Sequence, residues 1–246
     1  MILLHGLGSD SSEWSRVSSK LASRSRLIMP DQIGFGQSDK PNLRYRTGTL
    51  VSFLEGFCDA LRIERTSLIA HGVSGNAAAA FAAMHPERID RLILVSTGFL
   101  LQSAGIELLN PATREESREL TRRIRHESNA FAADEVWAEF MISSYANQAL
   151  IDSALRGDDP VGELLTGLRP PALVVWGRED SFTPIGTGER IHVAIPHSQL
   201  SIVEGCGHSP QREQPASFAE IVNEFLTGSE AHQKISKPRQ EENVWF

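Results

Sequence analysis

Four motifs, the last of them split, concentrate glycine, histidine and carboxylate side chains at positions where chemistry is done. His5-Gly6-Leu7-Gly8 is a glycine-rich turn after an apolar opening, where missing side chains let backbone N–H groups face a ligand oxygen. Asp31-Gln32-Ile33-Gly34-Phe35-Gly36-Gln37-Ser38, just before Lys40-Pro41, is a turn-rich loop. Leu68-Ile69-Ala70-His71-Gly72-Val73-Ser74-Gly75-Asn76 is an apolar run that turns sharply into an alanine-rich helix ending near His85-Pro86. Val175-Trp176-Gly177-Arg178-Glu179-Asp180 and Gly205-Cys206-Gly207-His208-Ser209-Pro210 follow two further apolar runs and bring in a carboxylate and a histidine. The remaining histidines, His71, His126, His192, His197 and His232, lack metal-ligand spacing and read as structural or exposed. Gly34-x-Gly36 lacks the third glycine and the later acidic residue of a dinucleotide fingerprint, so no cofactor and no metal are implied.

The elements that must position these motifs follow from periodicity. Short apolar runs at residues 1–4, 26–29, 67–70, 91–95, 172–176 and 200–203 read as buried strands. They alternate with helical patterns at 12–22, 47–61, 76–84, 183–195 and 215–226, as parallel βαβ units do. The helices then cover both faces of one sheet. Residues 99–168 break the alternation: helices at 111–126, 134–146 and 149–155, with no convincing strand, suggest a helical lid. The first of these helices is dense in Arg and Glu and reads as a solvated face. Val136, Trp137, Phe140, Met141 and Tyr145 form an apolar stripe that either roofs a substrate pocket or packs as ordinary core. Phe35 and Phe99 join Trp137, Phe140 and Tyr145 as candidate pocket walls. Residues 229–246 are polar and charged, and read as a disordered tail.

Composition excludes several classes. The 246 residues, 41% hydrophobic and 22% charged, make an ordinary globular chain with no repeat or low-complexity tract. With 24 basic and 31 acidic residues the net charge is −7, which gives no footprint for nucleic acid or an anionic membrane. Two cysteines build no disulfide framework, the apolar start does not read as a signal peptide and no run reads as a membrane span, so the expected compartment is the cytoplasm.

Taken together in this order, the motifs resemble those of α/β-hydrolase-fold proteins over nearly the whole chain, from His5 to about residue 226. The resemblance implies a mostly parallel sheet of about six strands with helices on both faces. The core would span residues 1–98 and 169–228, with a small lid at 99–168. It implies that Asp180 is the acid and His208 the base of a triad, the acid fixing the tautomer of the imidazole and steadying its charge. It assigns the oxyanion hole to the backbone N–H groups of Leu7 and Val73. It also implies two further strands before the His-Gly turn; residues 26–29 would then be an exposed edge through which a homodimer could pair.

The chain departs from the family pattern at the nucleophile. The register of the elbow, small-x-nucleophile-x-small, puts Gly72 where serine, aspartate or cysteine belongs, and counting back from His85-Pro86-Glu87-Arg88 gives the same residue. Ser74 in a shifted elbow is the alternative, but it would leave the larger Asn76 at a small position. Three functions compete. In the first, the His208–Asp180 pair activates water or substrate hydroxyl toward a small ester, lactone or carbonyl compound. In the second the protein is a non-catalytic binder. In the third it is an ordinary serine esterase carrying a Ser-to-Gly replacement.

Overall fold

A parallel sheet organises the computed structural model of the protein, which describes residues 1–23, 25–97, 113, 115–116, 119–120, 145–155 and 161–228. Its five strands are β1 (Ile2–Leu4), β2 (Thr66–His71), β3 (Ile89–Val95), β4 (Ala172–Gly177) and β5 (Gln199–Val203). They lie side by side in chain order, and every pair is parallel. Ala70 aligns with Leu4 on one side and Leu94 on the other, and Leu94 with Val174. Parallel strands covered on both faces read as continuous apolar runs, as ILL and ALVVWG do here.

Because side chains alternate along a strand, the sheet feeds two cores. One face presents Ile2, Leu4, Leu68, Ala70, Leu92, Leu94, Val174 and Trp176 to α2 (Thr47–Ala60), α3 (Ser74–Met84) and α5 (Ile185–Ala194). The same core takes in Leu150 of α4 (Tyr145–Leu155) and Leu165 of a 3-10 turn at Val161–Gly167. The other face presents Leu3, Ile69, Ile93, Val95, Leu173 and Val175 to Trp14, α1 (Ser15–Ala22) and α7 (Pro215–Thr227). The short helix α6 (Pro210–Glu213) leads into α7. With all strands parallel, the loops after β1, β2, β4 and β5 gather at one edge, where open α/β sheets hold their ligands.

Residues 26–29 depart from the expected strand. They make one bridge, Ile28 to Ile2, with Leu3 N–H donating to the Ile28 carbonyl at 2.9 Å and Ile28 N–H to Met1 at 3.0 Å. Pro30 has no N–H to extend the pairing, so among the described residues the sheet has five strands rather than about six. The helix expected at 149–155 begins earlier, at Tyr145, and runs as α4 to Leu155, while the helix expected at 134–146 lies outside the described residues except for its last two. Most of the region read as a lid, including Phe99, Trp137 and Phe140, lies outside the described residues, as do His126, His232 and the tail 229–246. No described helix is long and apolar enough to cross a membrane.

Candidate active site

The junction of β2 and α3 holds the geometry on which the rest depends. Gly72 sits there at φ +57°, a left-handed conformation that L side chains adopt only with strain. Its N–H donates to Val95 of β3 at 3.0 Å, and its carbonyl accepts from Gly75 at 3.1 Å. A Cβ built on Gly72 would lie 3.8 Å from the Gly6 Cα and 4.0 Å from His208 Nε2, with no clash. Ser74, by contrast, is occupied: its buried hydroxyl donates to the His5 carbonyl at 2.6 Å and accepts from Gln32 Nε2 at 2.9 Å. A nucleophile needs a free hydroxyl facing a base, and Ser74 faces neither His208 nor Asp180 in these contacts.

His208 and Asp180 meet across the ends of β5 and β4. His208 Nδ1 donates to Asp180 Oδ2 at 2.8 Å, and both side chains are buried. Asp180 is saturated: Oδ1 accepts from the N–H groups of Phe182 and Thr183 at 3.0 and 2.8 Å, and Oδ2 also accepts from the Thr183 hydroxyl at 2.7 Å. A carboxylate held this way keeps the proton of His208 on Nδ1 and leaves Nε2, 4.0 Å from the Cβ position of residue 72, without one. Phe182 packs edge-on to the His208 ring at 5.0 Å. Glu213 braces the loop, one carboxylate oxygen accepting from Gly207 N–H and the other from Ser209 N–H, each at 3.0 Å.

The turn at residues 5–8 is fixed from several sides. Gln32 N–H donates to His5 Nε2 at 3.1 Å, so that nitrogen is unprotonated and Nδ1 donates to the Gly6 carbonyl at 2.9 Å. Burial pushes His5 below its ordinary range, in keeping with a neutral ring. Gly8 N–H donates to Asn147 Oδ1 of α4 at 3.0 Å, and Gly6 N–H to Glu13 Oε2 at 3.0 Å. Gly6 has no room for a side chain, since a Cβ would meet His71 Nδ1 at 2.7 Å. The amides of Leu7, next to Gly6, and of Val73, next to Gly72, donate to no acceptor among the described residues.

His71, Gly72, Val73, Leu7, Asp180 and His208 therefore converge at one edge of the sheet. Phe35 is brought near but not into the cluster: it is buried in the core and edge-on to His5 at 5.4 Å. Tyr145 opens α4. Glu13, Gln32, Asn147, Thr183 and Glu213 are site-supporting residues that sequence reasoning missed. Thr183, three residues after Asp180, carried a weak signal as an Asx-type turn. His192 pairs its ring with the Ser198 hydroxyl at 2.8 Å, away from this cluster. Among the described residues no group of three or more His, Cys, Asp or Glu side chains could hold a metal ion.

A parallel sheet with a strand-turn-helix elbow, two glycine-rich turns and an acid-histidine pair at its carboxyl edge defines a hydrolase-type α/β architecture. The alpha/beta hydrolase family model matches residues 1–221, and the chain belongs to that family. A 2-hydroxy-6-oxononadienedioate/2-hydroxy-6-oxononatrienedioate hydrolase of Cupriavidus pinatubonensis is 30% identical, over 92% of this chain and 86% of its own. A 2-hydroxymuconate semialdehyde hydrolase of a Pseudomonas species is 30% identical, over 94% of this chain and 88% of its own. The solved structure of the meta-cleavage product hydrolase CumD of Pseudomonas fluorescens matches with a TM-score of 0.78 at 26% identity, over 92% of this chain and 90% of its own.

Proposed function

We propose that the protein is a hydrolase of a small carbonyl substrate, an ester, a lactone or a 2-hydroxy-6-oxo dienoic acid of the kind its relatives' names describe, and that it works without a covalent nucleophile. His208 Nε2 takes a proton from a water molecule seated beside Gly72. The resulting hydroxide adds to the carbonyl carbon, and the oxyanion that forms is held by the Leu7 and Val73 N–H groups. Collapse of the tetrahedral species expels the leaving group, an alkoxide from an ester or lactone or, for a dienoate first tautomerised to its 2-keto form by moving the hydroxyl proton to C5, a dienolate, which receives the proton back from the His208 imidazolium. Asp180 stays ionised throughout and steadies that imidazolium. The observation that supports this reading is the 4.0 Å from the Cβ position of residue 72 to His208 Nε2. A base is aimed at a place that glycine leaves open.

A second reading, a serine esterase with its serine replaced, draws on the same distance, because a serine hydroxyl at 72 would come within hydrogen-bonding reach of Nε2. Parent, Gly72→Ser and His208→Ala proteins assayed on short acyl esters, lactones and a 2-hydroxy-6-oxo dienoate separate the two. The expected result is turnover in the parent that falls at least 100-fold in His208→Ala, the order that loss of a general base gives. Turnover confined to Gly72→Ser would overturn direct water attack in favour of the replaced serine. Saturable binding with no product from any of the three would leave a ligand-binding protein.

A further inference from the structure

One buried pair next to this cluster has no part in the mechanism above. His71 and Glu13 are both buried, and His71 Nδ1 lies 2.9 Å from Glu13 Oε1 in an ion-pair contact. The other nitrogen, Nε2, lies 3.0 Å from the main-chain carbonyl of His208. A carbonyl oxygen only accepts, so Nε2 carries a proton. Glu13 in turn accepts from Gly6 N–H and from Gln211 Nε2, both at 3.0 Å, the surroundings of an ionised carboxylate, which calls for the second proton on Nδ1. The His71 and His208 rings are 5.0 Å apart between centroids.

We propose that His71, held as an imidazolium by Glu13, is a positioning residue for His208: it ties the His208 loop and the Gly6 turn to the end of β2. The pair touches three of the loops that the site needs. Through the carbonyl of His208 it sets where that ring stands. Through Glu13 it holds the amide next to Leu7, and the His71 ring is the atom group that forbids a side chain at Gly6.

The groups that face His71 are Glu13 before α1, His208 ahead of α6, and Asp180 after β4. Glu13 and Asp180 both favour the charged ring, and they lift His71 above its ordinary range against the effect of burial. Against the effect of burial, Glu13 itself is brought down to about 2, chiefly by the charge of His71, with the Gly6 N–H adding to it. Glu213, on the His208 loop, is taken up by Gly207 and Ser209.

The inference rests on His208 acting as the base, but its test needs no turnover. In 15N-labelled parent protein, His71 should show both ring nitrogens protonated at pH 7, and a neutral His71 would overturn the proposal. In Glu13→Gln/His71→Gln, which removes both charges and keeps a donor for the His208 carbonyl, the His208 Nδ1–H proton shared with Asp180 should lose its slowly exchanging low-field resonance as the ring is no longer held in place. An unchanged resonance in a variant with a cooperative melt would overturn the proposal as well, and where the variant does not fold the parent measurement decides. If the parent turns over none of the substrates while both NMR results hold, the proposed hydrolysis fails and the positioning pair stands.

Discussion

Residue 72 combines two properties that pull in opposite directions. Its backbone at φ +57° suits glycine, while its place 4.0 Å from a histidine nitrogen suits a nucleophile. Family elbows tolerate that conformation for the sake of a reactive side chain, and here the strain is relieved. Gly72→Ser should therefore be less stable than the parent. The left-handed region costs a side chain about 1–2 kcal/mol, partly offset by the lower freedom of serine in the unfolded chain. A net loss of about 1 kcal/mol lowers Tm by roughly 2–4 °C in a chain of this size, which calorimetry of the two proteins reads directly. A serine that raised Tm would mean that residue 72 is not strained. Ser74 shows why type alone misleads at this scale: it is the only serine in the elbow, yet its hydroxyl is a strut between His5 and Gln32.

At the scale of elements, the site is made by strand ends that abut. The turn after β1 can lie against the end of β2 only because Gly6 has no side chain, the nearest obstacle being the His71 ring at 2.7 Å from a Cβ. His71 cannot yield easily, since its Nε2 is hydrogen-bonded to the His208 carbonyl and its Nδ1 stands in ion-pair contact with Glu13, outside hydrogen-bond alignment. Gly6→Ala should thus act as overpacking and cost about 1–3 kcal/mol, seen as a lower urea midpoint at unchanged slope. It should also impair any turnover, by moving the Leu7 amide. A neutral effect on stability would show that the β1 turn is free to move. Elements of this kind were legible in the sequence: the motif turns stand out because glycine and histidine follow apolar runs, and α2, α3 and α7 lie within two residues of where periodicity places them. The bracing groups were not. Glu13, Gln32, Thr183 and Glu213 have the polar character of a solvated surface, and only a contact distant in sequence, such as Gln211 to Glu13, reveals that they are inside. Residues 26–29 misled in the other direction, because an apolar run specifies burial but not a second row of hydrogen bonds.

For the molecule as a whole, the buried titratable groups shape how stability depends on pH. His5 is held neutral, below its ordinary 6.5, so the folded state binds fewer protons than the unfolded chain once the pH drops under that value, and stability falls. Glu13, lowered from 4.5 to about 2, adds a second loss between those two values, where only the unfolded chain takes up a proton. His71 works the other way. Its folded range is raised above 6.5, so its contribution is complete below 6.5 and is lost as the pH climbs from there through the raised value. Above the ordinary thiol value of 9.0, Cys206, pushed up by burial, adds a further loss, because the unfolded chain alone ionises. The net charge of −7 sets the field in which these groups titrate but has no window of its own near neutrality. Thermal melts from pH 3 to 9 should therefore peak near pH 6.5 and decline on both sides. In Glu13→Gln/His71→Gln the decline between 6.5 and 9 should flatten and the loss below 4.5 should shrink, while the His5 limb between them persists. A parent Tm that keeps rising from 6.5 to 9 would contradict a charged His71, and an acid limb untouched in the double variant would contradict an ionised Glu13.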